Sequence, residues 1–502
     1  MAKPTQECVG VPRQHCFVLG RKKEEVKNGM TTSHNLKNDQ PHIKVKHPML
    51  ALISVMLGSF VGMFSETSLN IALPSLTASL HITTATASTL ITAYMLVVGV
   101  VMPFSSFISK WFTTRQVVIF ALSAFIFGAV VAATANMFPV LLIGRMIQGI
   151  GTGLILPLLY TVALQLFRPS QFGTMMGICA LVIMFASAIG PTLTGLVLAR
   201  LSWQWVFWLF VPFLVVALIF AVTSLVNVGT ITKPKLDKLG LVESVVGFAS
   251  VVSGASLASS RGWGSPAVLG LLAVGVIVLA FYVRRELKAE EPILNLRIFG
   301  IPEFRTGALL VTIDFGISLS AMYLIPQYFQ RGLLLPVAVT GLVMLPGGIL
   351  NALVSPIAGR LYDRYGARGP VRAGLLIALA GAVMLTLTSS TAPIAYVVAA
   401  HILLMVGTPM IMSPSETLAL SALSPAKTGD GSTIVSTLPQ ILGAIVTALA
   451  TSLLGFGVNA AKGQPAALAF TNGVHYGFYF TIVLIVLAFV VSLGIKRSSV
   501  KD

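Results

Sequence analysis

Charge is scarce in this sequence. Asp, Glu, Lys and Arg make up only 10% of its 502 residues, against about 25% in an ordinary soluble domain. A water-soluble chain of this length would need far more polar surface to cover its core, so a soluble globule is excluded. Cysteine is nearly absent too. Cys8, Cys16 and Cys179 follow no metal-ligand spacing, which argues against a disulfide framework and against a metal site. Acidic residues number 16 against 33 Lys and Arg, for a net charge of +17. That excess does not indicate nucleic acid. The basic residues lie in the first 47 positions and in short loops, without the aromatic interleaving that a nucleic-acid face requires. A phosphate-cradling Gly-rich lysine motif is also missing, which counts against ATP as an energy source and leaves an ion gradient.

What the chain has is apolar length. Hydrophobic residues make up 56% of it, and the 45 glycines and 26 prolines sit inside the apolar runs, as transmembrane helices tolerate. A spanning helix needs about 20 mostly apolar residues. That length predicts spans near 48–71, 86–108, 116–135, 138–166, 172–199, 205–227, 239–259 and 266–284. Six more follow near 305–329, 336–358, 373–390, 394–420, 432–458 and 475–495. The fold class is therefore an all-α integral membrane protein of fourteen spans. Residues 1–47 are polar and basic with no apolar stretch, so they are not a secretory signal. They read as a disordered cytoplasmic tail.

With the N-terminus inside, 28 Lys and Arg fall on the cytoplasmic side and four outside: Arg200, Arg261, Arg331 and Lys462. The positive-inside rule then places both termini, including the 497–502 tail, in the cytoplasm.

An internal repeat is visible. The segment MPFSSFISKWFTTR (102–115) and the segment SPIAGRLYDRYGAR (355–368) have equal length, share Pro at the second position and end in Arg. Their offset of 253 residues is half the chain. Repeated halves are typical of secondary transporters, whose substrate site lies at the repeat interface near the bilayer midplane. The expected organisation is a six-helix bundle over 48–230, two linking spans over 231–290 and a second six-helix bundle over 291–496.

Three segments carry chemistry. In the second-half loop, Gly359, Asp363, Arg364 and Gly366 combine turn-forming glycine with an acid suited to a helix N-terminus or an arginine partner. Such a cluster can latch helices on the cytoplasmic side. In span 4, Arg145 precedes Gln148, Gly149, Gly151 and Gly153. A buried arginine needs a polar cavity or a partner, whereas the glycines fit close helix packing. In span 5, Gly190, Pro191 and Gly195 bend the helix and admit a neighbour.

Together with Glu66 and Asn70 in span 1 and the run Leu201-Ser-Trp203-Gln-Trp205-Val-Phe207-Trp208, these segments resemble the major facilitator superfamily. The resemblance covers about residues 48–495. It is to the fourteen-span drug:proton antiporter branch of EmrB/QacA type, nearest the lincomycin-resistance and multidrug exporters of Gram-positive bacteria. The resemblance implies a monomer in the bacterial cytoplasmic membrane. The first-half loop departs from the superfamily pattern. Ser106 and Lys110 stand at the positions matched to Gly359 and Asp363, which counts against a latch resting on that loop. The three tryptophans of the 201–208 run read as an interfacial anchor.

Four acids lie within spans: Glu66, Glu243, Asp314 and Glu416. A charged carboxylate at mid-bilayer is costly, so such a group holds a proton until a cationic substrate replaces it, and that competition is antiport. Glu66 with Arg145 is the first candidate for proton coupling, followed by Asp314. Glu416, on a helix expected to be irregular after Pro409 and Pro414, is a cavity candidate with Asn70, Gln148 and Gln440. Cross-helix hydrogen bonds explain the three amides equally well. Glu243 reads as snorkelling to the headgroups.

The expected function is proton-driven export of small lipophilic, drug-like molecules, cationic ones included, by alternating access, with protons, substrate and bilayer as partners and no cofactor or metal. One rival is a same-fold exporter or importer of a specific metabolite. A second is a membrane-embedded enzyme or receptor. His401 and His475 stand alone in the sequence, and the absence of a nucleophile constellation counts against the second rival.

Overall fold

Fourteen helices are long and apolar enough to cross a membrane in the computed structural model, which describes residues 47–229, 231–235 and 237–496. No strand occurs among these residues. A bilayer offers the backbone no water, so each segment satisfies its own N–H and C=O groups as a helix. The expected basic tail (except His47) and the 497–502 tail lie outside the described residues. So do the side chains of Asn70 and Pro191.

The first six spans are built from α1 (Pro48–Leu80), α2 (Thr84–Val101) continued by α3 (Ser105–Trp111), α4 (Thr114–Ala133), α5 (Phe138–Leu166), α6 (Phe172–Leu198), and the pair α7 (Gln204–Trp208) and α8 (Phe210–Ser224). Two linking helices follow, α9 (Lys238–Arg261) and α10 (Pro266–Lys288). The second six are α11 (Pro302–Gln327), α12 (Val337–Tyr365), α13 (Arg368–Thr386), α14 (Ile394–Ser421), α15 (Thr428–Ala460) and α16 (Ala466–Ser492).

Local chemistry sets the helix starts. Thr113 and Gln116 form a capping box on α4, while Thr83 caps α2 and Asp237 caps α9. Proline occupies the first turn of α1, α10 and α11, where its missing N–H has no partner to lose.

The halves meet along α6 and α12 and again where α5 meets α15. The linking helix α9 packs against both α2 and α15. Three expectations change. α14 remains one helix through Pro409 and Pro414, because packed neighbours in a membrane protein support a proline that would break an isolated helix. α12 runs through Gly359 to Tyr365, so Gly359 is not a turn residue; the turn falls at Gly366, whose φ is 73°. Trp203 is buried with its ring edge-to-face on Phe207, and only Trp205 and Trp208 are exposed as anchors.

Candidate functional site

Arg145 is completely buried in α5. Its Nη1 donates to Ser65 Oγ at 2.6 Å and to Gln148 Oε1 at 2.9 Å, and Nη2 reaches the Ser65 carbonyl at 3.4 Å. The guanidinium lies 4.1 Å from the centroid of the Tyr94 ring, a cation–π contact strengthened by desolvation. The Tyr94 hydroxyl donates to the Gly62 carbonyl at 2.9 Å and lies 2.8 Å from Thr152 Oγ1. One arginine and one tyrosine thus tie α1, α2 and α5 together.

Glu66 and Arg145, the first candidates for proton coupling, are neighbours without contact. Among the described residues the ion pairs are Lys110–Asp430 and Arg285–Asp237. Glu66 is buried, and its Oε2 has no hydrogen-bond partner. The reason is geometric: Glu66 follows Ser65, and successive residues point about 100° apart round a helix. When Ser65 faces the guanidinium, Glu66 faces elsewhere, within electrostatic reach of Arg145 but out of contact. Gln148 is fully buried against Gly128 of α4, with its Nε2 unpartnered.

The span 4 glycines serve packing. A Cβ at Gly149 or Gly153 would press on α2 at Val97 or Val101, and one at Gly151 would press on Ala121 and Phe125 of α4. Gly190 abuts Thr67 and Phe64 of α1, but Gly195 has no neighbouring group within 4 Å, so close approach does not account for it.

The other two central acids come together. Asp314 on α11 and Glu416 on α14 are buried within electrostatic reach of each other. Both oxygens of Asp314 and Oε2 of Glu416 lack hydrogen-bond partners. Tyr160 of α5 and Cys179 of α6 stand beside Glu416, so this acidic site lies where the halves meet. The hydroxyl groups of Ser413 and Ser415 on α14, and of Ser432 and Thr433 on α15, are likewise buried and unpartnered. Gln440 sits half-buried further along α15. The two histidines have structural settings: His401 packs against Gly347, and His475 Nε2 lies 2.9 Å from the Thr388 carbonyl.

At the basic-rich end, two latches join the halves. Asp363, near the end of α12, accepts from the backbone N–H groups of Gly173 (2.7 Å) and Thr174 (2.8 Å) and from the Thr174 hydroxyl (2.6 Å). A carboxylate at the start of α6 is favoured by the helix dipole as well as by these bonds. Among the described residues no arginine forms an ion pair with it, and Arg364 lies over the Tyr365 ring instead. A Cβ on Gly359 would fall on the Gly173 carbonyl, so this glycine is there to let two backbones touch. The second latch lies in the loop whose sequence argued against one. Ser106 Oγ donates to Asp430 Oδ1 at 2.5 Å, and Lys110 Nζ donates to Oδ1 at 2.9 Å and to Oδ2 at 3.2 Å. Toward the opposite end of the same helices, Gly195 and Gly341 face open space. This conformation is closed at the basic-rich face.

A family model described as Major Facilitator Superfamily matches residues 55–448. The chain belongs to this superfamily. Its relatives include proteins named lincomycin resistance protein LmrB. The one from Bacillus subtilis is 42% identical over 90% of this chain and 96% of its own length. The one from Listeria monocytogenes is 40% identical over 90% and 97%. Among solved structures, a double-tryptophan variant of XylE superposes with a TM-score of 0.65 at 15% identity, covering 91% of this chain and 98% of that one. That likeness shows the fold alone. The protein is thus a multi-pass membrane transporter of the major facilitator fold, with fourteen membrane helices in two six-helix halves and a linking pair.

Three residues of these sites escape a reading of this superfamily sequence by spans. Tyr94 and Tyr160 look like ordinary span aromatics. Asp430 falls in a predicted loop, yet a second repeat marks it. Pro169 and Pro425 open matching short turns, and Gly173-Thr174 then corresponds to Gly429-Asp430 at an offset of 256 residues.

Proposed function

We propose that this transporter exports lipophilic, drug-like small molecules in exchange for protons by alternating access, with the proton gradient as its only energy source. One observation carries the reading: Glu66, Asp314 and Glu416 are buried in membrane helices without a cationic partner in contact. In a low-dielectric interior a carboxylate without a counter-ion is stable only with a proton or a bound cation. Three such groups therefore favour exchange of protons against a cationic or amine-bearing substrate. Drug export draws support from relatives named for lincomycin resistance.

In this reading Glu66 is the proton site of the first half. Asp314 and Glu416 line the substrate cavity between the halves. The basic-rich face is cytoplasmic, which puts both termini inside the plasma membrane of a bacterial cell and makes the closed conformation outward-facing. The protein acts as a monomer.

The test is efflux of ethidium and of lincomycin from energised cells, with a protonophore control, comparing wild type with Glu66→Gln. Efflux that the protonophore abolishes and that Glu66→Gln lacks is the expected result. Efflux that persists with the gradient collapsed would refute proton coupling. Failure to move either compound would turn the reading toward a specific metabolite on the same fold.

A further inference from the structure

α10 is the least covered membrane helix, with 17% of its apolar window buried. Toward its basic-rich end the exposed face of α10 forms an aliphatic wall of Val276, Ala280, Val283 and Leu287, with Arg284 and Lys288 as its cationic rim. A recess of about 460 Å³ between the start of α9 and the end of α10 shares both cations and adjoins Asp237, Glu243 and Arg285. We infer that this face binds one anionic phospholipid, with the phosphate between Arg284 and Lys288 and an acyl chain along the aliphatic wall.

The charges sort themselves by their partners. Arg285 is committed, because it hydrogen-bonds both oxygens of Asp237 and holds that carboxyl below the usual carboxylate range. Arg284 and Lys288 take part in no ion pair among the described residues. Glu243, at the edge of the recess, is one acid against these two cations. Residues four apart on a helix stand about 5–6 Å from each other, a separation that two donors on one phosphate can span. From Val276 to Arg284 the helix rises about 12 Å, which matches an acyl chain descending from a headgroup at the rim. Basic pockets at this level of a bundle suit anionic lipid. A soluble phosphate would use the rim and leave the aliphatic wall bare.

The site also adjoins the Lys110 loop. Asp237 lies a few residues after Thr232 and Lys233, whose backbone N–H groups each donate to the Lys110 carbonyl at 3.1 Å. The Trp111 indole donates to the Pro234 carbonyl at 2.9 Å. A lipid seated beside Asp237 therefore adjoins the loop that carries the Lys110 latch.

The test is native mass spectrometry of the full chain, delipidated in mild detergent and titrated with dioleoyl phosphatidylglycerol or dioleoyl phosphatidylcholine. Wild type is expected to prefer phosphatidylglycerol. Arg284→Gln combined with Lys288→Gln should weaken it about tenfold, as expected for two cations at headgroup level, and leave phosphatidylcholine unchanged. Arg284→Lys combined with Lys288→Arg keeps both charges and should keep the preference, as should the distant exposed Arg360→Gln. Equal binding of the two lipids would overturn the proposal. So would an unchanged preference in the double Gln variant, or displacement of the lipid by millimolar glycerol phosphate.

Discussion

Lys110 and Asp430 form a 2.9 Å ion pair across the two halves. In the other repeat the polarity is reversed: Asp363, matched to Lys110, supplies the acid, and Thr174, matched to Asp430, supplies the donors. The repeat has kept the place of the contact while exchanging which partner is anionic.

Reversal of the pair should therefore be tolerated where single changes are not. Asp430 is 4% exposed and Lys110 is 23% exposed, so losing the lysine leaves a nearly buried carboxylate. The cost falls below the 3–5 kcal/mol of a fully buried pair, at about 1–3 kcal/mol. Lys110→Asp and Asp430→Lys should each cut transport about tenfold, and the two together should restore most of it. Native Cys179, buried on α6, can report opening of this face once Cys8 and Cys16 are replaced by Ser. Maleimide labelling should rise in each single variant and fall back in the double. Equal labelling in all of them would remove the latch from the argument.

Gly359→Ala tests the backbone contact. Its Cβ would meet the carbonyl and Cα of α6 rather than a side chain that can swing away, so the helices must separate. A destabilisation of about 1–3 kcal/mol is expected, with faster labelling of Cys179. Gly195→Ala, which meets nothing within 4 Å, should stay within about 0.5 kcal/mol. Matching thermal shifts for the two alanines would show that the close approach has no energetic weight.

Much of this was legible in the sequence, for identifiable reasons. Span number and the all-α membrane class follow from apolar length, the major facilitator fold is implied by the family resemblance of its motifs, and Asp363 stands out as an acid among glycines in a repeated loop. The Lys110 latch was hidden because its partner, Asp430, lies 320 residues away in sequence, and because Lys110 carries the opposite charge to Asp363 at the matched repeat position. Glu66 and Arg145 stand out as lone charges within their spans, which leaves open whether they touch. One step of helix rotation keeps them apart, and neutral oxygens of Ser65 and Gln148 take the guanidinium instead.

Arg145→Lys should behave as a severe change. An ammonium cannot bond Ser65 and Gln148 while lying flat on the Tyr94 ring. The variant should lose about 2 kcal/mol of thermal stability in detergent, counted from hydrogen bonds to a charged group. Arg145→Ala should lose more, because Gln148 Oε1 is then left buried without a donor. Tyr94→Phe keeps the ring beneath the guanidinium and should lose about 1 kcal/mol. A lysine variant as stable as wild type would mean that charge alone, without the planar fork, holds α1 to α5.

The central acids should act as two units rather than three. Asp314 and Glu416 share one environment between α11 and α14, so neutralising one changes the site that the other experiences. Glu66 lies in the other half beside the Arg145 network. Groups that interact give strongly non-additive effects, whereas distant groups add. Efflux rates should therefore show Asp314→Asn with Glu416→Gln costing far less than the product of the two single losses. Glu66→Gln combined with either should multiply the losses, provided residual transport remains measurable. The same variants, placed in weakly buffered detergent, should release fewer protons when a cationic substrate is added, because a neutral amide has none to give. Since a proton-bearing acid empties as pH rises, wild-type release should shrink toward alkaline pH. A full multiplicative loss in the Asp314–Glu416 double variant would separate the two acids and assign each its own ligand.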